Sequence, residues 1–140
     1  MRSAITYVVV PLAVAAAAGA ALSAPLRSGA HLTVVPPAFY AGTNRADTLN
    51  GTSTNDVLRG RGGNDTLHGR AGNDVVDGGI GNDRAWGDGG RDYIVGGAGN
   101  DRLYGRDGQK DTVNGGPGFD EAWVDRLDVV RNVERVHRPR

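Results

Sequence analysis

The chain has no cysteine in its 140 residues, and only one methionine, two phenylalanines and two tryptophans. The missing cysteine excludes disulfides, thiolate metal sites and a lipid-modified N-terminal cysteine. An excess of one charge is also missing, because 16 Lys and Arg face 16 Asp and Glu. That balance lacks the basic surplus a nucleic-acid partner needs. Histidine occurs only at His31, His68 and His137, with neither a His-Glu-x-x-His pair nor a Gly-x-Ser-x-Gly elbow in the chain. The expectation is therefore a protein that is not an enzyme. Long apolar runs are scarce as well, the main one being Tyr7–Leu22, preceded by Arg2 and with small residues toward its end at 18–24. This pattern predicts a signal peptide over 1–24, hence a secreted, extracellular chain with no stable membrane span once the signal is removed.

Glycine is abundant, and 21 of the 23 lie between Gly42 and Trp123. From Gly42 the sequence repeats every nine residues, each unit opening with Gly and placing Asp sixth, at Asp47, Asp56, Asp65, Asp74, Asp83, Asp92 and Asp101. One inserted residue near Lys110 moves the last two to Asp111 and Asp120. The clearest copies are Gly78-Gly79-Ile80-Gly81-Asn82-Asp83-Arg84-Ala85-Trp86 and Gly96-Gly97-Ala98-Gly99-Asn100-Asp101-Arg102-Leu103-Tyr104. A fixed short period predicts a solenoid, in which no unit buries its apolar residue alone.

These units resemble the haemolysin-type calcium-binding repeat, the RTX nonapeptide Gly-Gly-x-Gly-x-Asp-x-apolar-x. The resemblance covers Gly42–Trp123 and implies an all-β fold, a parallel β-roll or β-helix that takes Ca²⁺ as its ion.

The residue types support the same fold. Gly, and to a lesser degree Asn, tolerate the left-handed region, so Gly-x-x-Gly-Asn-Asp predicts a tight turn. The next three residues form a short strand whose middle side chain points inward. Leu49, Leu58, Leu67, Val76, Ala85, Ile94, Leu103, Val113 and Ala122 are thus the expected core. Two nonapeptides make one coil, so Asp65, Asp83 and Asp101 line one edge while Asp56, Asp74 and Asp92 line the other. Coils lie about 4.8 Å apart, and carboxylates stacked so closely repel unless a cation lies between them. Ca²⁺ takes six to eight oxygens at about 2.3–2.6 Å, which paired carboxylates and glycine-rich carbonyls supply. The opposing reading is an Asx-turn, each Asp capping its own backbone. All nine aspartates are candidate ligands. The pairs Asp65/Asp83, Asp83/Asp101, Asp56/Asp74 and Asp74/Asp92 are expected to fill first and Asp101/Asp120 next. Asp47/Asp65 and Asp92/Asp111 should be weakest, because Arg45 replaces a turn glycine in one and the insertion distorts the other.

The repeat block holds 13 acidic and nine basic residues, a net of −4. With a glycine-rich backbone and small core residues, it is expected to stay largely disordered until calcium binds. Residues 25–41 read as a linker with a capping strand at Leu32–Val35, and 124–140 as a C-terminal cap and tail. At position nine of alternate units stand Asn50, His68, Trp86, Tyr104 and Trp123, with Arg84 and Arg102 beside them. Such a row serves either to bind a cell-envelope polysaccharide or protein partner, or to brace the sheet by cross-strand stacking with arginines over the rings.

Overall fold

The computed structural model describes residues 37–140, so the signal-like stretch and Leu32–Val35 lie outside the described residues. The described chain is wholly β, wound as six stacked coils of two strands each. The first coil holds β1 (Phe39–Ala41) and β2 (Thr48–Asn50), the second β3 (Val57–Gly62) and β4 (Thr66–His68), the third β5 (Val75–Ile80) and β6 (Arg84–Trp86). The fourth holds β7 (Tyr93–Ala98) and β8 (Arg102–Gly105), the fifth β9 (Thr112–Asn114) and β10 (Glu121–Val124), the last β11 (Val129–Arg131) and β12 (Arg135–His137). Odd strands form one six-stranded parallel sheet and even strands the other. None of these elements is a helix, so among the described residues no helix is long and apolar enough to cross a membrane.

Register follows the repeat. Leu49 pairs with Leu67, Leu67 with Ala85 and Ala85 with Leu103, always two nonapeptides apart. A slip of one residue would turn every apolar side chain outward, and this fixes the pairing. All nine expected core residues are buried, at 0 or 1% exposure, and Tyr40 and Val124 join them. The inserted residue is looped out rather than passed along the ladder. Asp107 accepts the Gly90 N–H at 2.9 Å and the Gln109 N–H at 2.7 Å, and Ile94 still pairs with Val113.

Two local expectations need correcting. The strands β3, β5 and β7 run six residues rather than three, through the glycines that open the next unit. Asn is not the left-handed residue of the turn. Positive φ falls at the fourth-position glycine, for example Gly81 at 137°, and at position two, where Arg61, Arg70 and Asp88 adopt it despite having side chains. Asn instead builds a ladder, the Asn82 N–H donating to Asn64 Oδ1 at 2.9 Å and the Asn100 N–H to Asn82 Oδ1 at 2.8 Å. A side-chain hydrogen bond to the neighbouring coil outweighs the conformational preference that suggested αL.

The segment after Trp123 continues the solenoid. β11 extends one sheet and β12 the other, with Val130 beside Val113 and Val136 beside Ala122. At the opposite end, Phe39–Ala41 pairs with Val57–Arg59.

Candidate metal centre

Each aspartate enters its turn immediately before a strand, so the 18-residue coil stacks the carboxylates in two columns. Asp47, Asp65, Asp83, Asp101 and Asp120 occupy one edge, and Asp56, Asp74, Asp92 and Asp111 the other. From Asp56 to Asp120 all are at most 3% exposed. In seven of these carboxylates one oxygen is held the same way. Oδ1 of Asp65, Asp83, Asp101 and Asp120, and of Asp74, Asp92 and Asp111, accepts the N–H of the aspartate one coil earlier at 2.7–2.8 Å. The aspartates are therefore brought together by backbone bonds, not by facing carboxylates.

The other oxygen separates the nine into two groups. Oδ2 of Asp65, Asp74, Asp83, Asp92, Asp101, Asp111 and Asp120 is buried and has no hydrogen-bond partner. Oδ2 of Asp56 accepts both the N–H (2.5 Å) and the Oγ1 hydroxyl (2.8 Å) of Thr52. Asp47 is capped alike by the Thr43 N–H at 2.5 Å and hydroxyl at 2.8 Å. Local capping thus operates in the first two units only, where Thr fills position two. The Asp56/Asp74 pair was expected among the first to fill, yet its Asp56 oxygen is already satisfied. Thr at position two, in these units and no others, was the sequence signal that went unread.

A buried anionic oxygen without a partner is strongly unfavourable. Burial accordingly pushes the Asp65 and Asp74 carboxyls up to about 6, and those of Asp92, Asp101 and Asp111 up to about 7. Asp83 and Asp120 move in the same direction, also chiefly by burial. The N–H bond to Oδ1 opposes the shift, and neighbouring carboxylates such as Asp83 beside Asp65 add to it.

The surroundings of these oxygens fit a hard cation. Each faces the opening glycine of its own unit, where a Cβ would collide with it. At Gly69 that Cβ position lies 2.6 Å from both Asp74 Oδ2 and the main-chain oxygen of Gly87, one coil on. The same convergence joins Asp65 to the Gly78 carbonyl, Asp83 to the Gly96 carbonyl and Asp101 to the Gly115 carbonyl. Among the described residues no three His, Cys, Asp or Glu side chains gather to hold a metal. An ion here would meet carboxylate and main-chain oxygens, the donor set of Ca²⁺ and not of Zn²⁺. Asp92 and Asp111 are the poorest of the seven, since no carbonyl is among the nearest atoms over their glycines. Over Gly87 these are Asp92's own Oδ2, Cβ and Cγ, and over Gly105 they are Asp111's own Oδ2 and Cβ and Val113 Cγ2 at 3.5 Å.

The position-nine row is one continuous ring stack. Successive centroids of His68, Trp86, Tyr104, Trp123 and His137 lie 4.4, 4.5, 4.8 and 4.7 Å apart, with planes within 13°. His137 was not foreseen in it. The rings cover one another's faces and are half-buried. Among the described residues the cations that lie over rings are Arg59 on Phe39 and Arg135 on Phe119, not Arg84 or Arg102.

Comparison with known proteins gives one match. The family model of the RTX calcium-binding nonapeptide repeat (4 copies) matches residues 41–76, 77–109 and 86–122. No curated protein and no solved structure matches the chain.

Proposed function

Since this chain belongs to the RTX calcium-binding nonapeptide repeat family, we propose that it is a secreted, non-catalytic β-roll that folds on binding Ca²⁺ through its stacked aspartates. The observation that carries this reading is the set of seven buried, unpartnered Oδ2 atoms. Calcium supplies the positive charge that lets these carboxylates stay ionised while buried. The protein's part is positional. The Oδ1 ladder fixes these side chains, the opening glycine leaves room beside Oδ2, and at Asp65, Asp74, Asp83, Asp101 and Asp120 the next coil's carbonyl points into that room. Asp65, Asp74, Asp83 and Asp101 are the principal ligands, with Asp120 the last repeat aspartate of its column and Asp92 and Asp111 lacking a facing carbonyl. Asp47 and Asp56 are held mainly by threonine.

Coupling to folding follows from what the folded chain would cost without an ion. A Gly-rich chain of net −4 in its repeats, with carboxylates buried and no counter-charge, gains from any ion that binds only the folded form. Export, suggested by the stretch before Ala24, would place the chain where millimolar-range sites fill. The ring stack is best read as bracing, because the ring faces needed to grip a sugar are already occupied.

Calcium titration of the mature chain followed by far-ultraviolet circular dichroism tests the proposal. A cooperative gain of β signal, reversed by chelator and not produced by Mg²⁺, is expected. An unchanged spectrum together with no calcium binding would exclude it.

A further inference from the structure

At the C-terminal rim, past the last matched repeat, the column containing Asp120 does not end as its repeats do. Oδ2 of Asp120 is buried without a partner, and the space beside it over Gly115 is faced by the main-chain oxygen of Asn132. Asn132 therefore stands where earlier coils have their opening glycine. Its φ of 48° lies in the left-handed region, and its side chain is tied down by an Nδ2–H bond to Asn114 Oδ1 at 2.9 Å. Glu134 takes the next aspartate's place, its Oε2 accepting the Asp120 N–H at 2.7 Å. In a repeat five residues carry the chain from the opening glycine to the aspartate, as from Gly115 to Asp120. Here two carry it from Asn132 to Glu134. The additional methylene of Glu restores the reach that the shortened turn loses.

The other column closes differently. Asp128 follows Asp111 and accepts its N–H at 2.9 Å, but Asp128 Oδ2 is satisfied by the Asp125 N–H at 2.6 Å. No carbonyl is among the nearest atoms over Gly105. The buried Asp120 oxygen, the cradle over Gly115 and a carboxylate continuing the ladder thus coincide at one rim only.

We propose that this column carries one calcium site more than its repeats encode, formed at the C-terminal rim by the Asp120 carboxylate, the Asn132 carbonyl and the Glu134 carboxylate. The inference rests on calcium being the ion of the ladder. Because Glu134 is solvent-exposed, the site is the weaker member of its column and fills after the Asp83 site.

Crystals of the full chain grown in calcium chloride, with bound ions counted by native mass spectrometry, test it. Expected is a calcium peak touching Asp120 Oδ2 and the Asn132 carbonyl, and one bound ion fewer in Glu134→Gln at a concentration that saturates the wild type. Glu121→Gln, a change at a carboxylate paired with Arg135 at 2.7 Å outside the ladder, should keep the full count. Ions at the interior aspartates with none at Asp120 and Asn132, or an unchanged count in Glu134→Gln, would overturn the rim site alone. No calcium anywhere in the wild type would remove the calcium reading itself. Should Glu134→Gln fail to fold, the wild-type peak decides.

Discussion

Asp56 and Asp83 occupy the same place in their repeats and are equally buried, but only Asp56 has a partner for its second oxygen. The difference lies four residues upstream. Thr52 turns its N–H and hydroxyl toward Asp56, whereas Gly79, the matching residue for Asp83, has a φ of 103°. Glycine adopts that conformation freely and threonine does not. Thr52→Gly should therefore free Asp56 Oδ2, and the folded variant should bind one calcium more than the wild type by native mass spectrometry. Adding Asp56→Asn should cancel the gain, while Asp56→Asn alone should leave the wild-type count unchanged. The threonine reading does not survive a folded Thr52→Gly protein with the wild-type ion number. In the opposite direction, Asp83→Ala removes a ladder bond as well as a charge. A hydrogen bond to a charged group contributes about 1.5–3 kcal/mol, so the calcium midpoint for folding should rise on the order of tenfold or more.

Along the even-numbered strands, the outward face is held by the ring stack and the inward face by Leu49, Leu67, Ala85, Leu103 and Ala122. The inward residue is smallest at Ala85 and Ala122, where the outward one is Trp86 or Trp123. Packing on the outside thus supplements a thin inside. Stacked aromatic pairs are worth about 0.5–1.5 kcal/mol each beyond the area they bury. Replacing Trp86 and Tyr104 with Ser removes the contacts with His68 and Trp123 as well as their own. The double variant should need more calcium to fold, should melt lower, and should lose the near-ultraviolet dichroism of the coupled rings. A variant folding as readily as the wild type would show that these rings do not brace β4, β6, β8 and β10.

For the whole molecule, the seven raised carboxyls act together. Their ordinary value is 3.8, and burial raises all seven in the folded chain, Asp65 and Asp74 to about 6 and Asp92, Asp101 and Asp111 to about 7. Between those values the folded chain holds protons that the unfolded chain has released, so metal-free stability falls as pH rises. The stabilising effect of protonation is complete below about pH 4 and is lost as pH climbs through about 7. In chelator, the chain should therefore be most ordered near pH 4–5 and least ordered near pH 7.5, where calcium restores it. Thermal melts across that range check the sign, and metal-free stability that increased with pH would contradict the buried, unpartnered state of these oxygens. The N-terminal end of the solenoid then behaves differently from its middle. Thr43 and Thr52 satisfy Asp47 and Asp56 there without an ion.

The nine-residue period by itself determined the coil, the two columns of aspartate and the inward row from Leu49 to Ala122. Each follows from alternation along a strand and from stacking units two apart. The stacking of the carboxylates was legible for the same reason, since it follows from the 18-residue coil. Only the tertiary structure decided which oxygen of each carboxylate is free, because that depends on the N–H of the preceding coil and on the φ of position two. It also decided how the ladder ends. Nothing in the spacing of Asn132, Glu134 or His137 matches the repeat, and they join it because the sheets, once formed, offer unpaired edges that the following chain satisfies with whatever residues reach them.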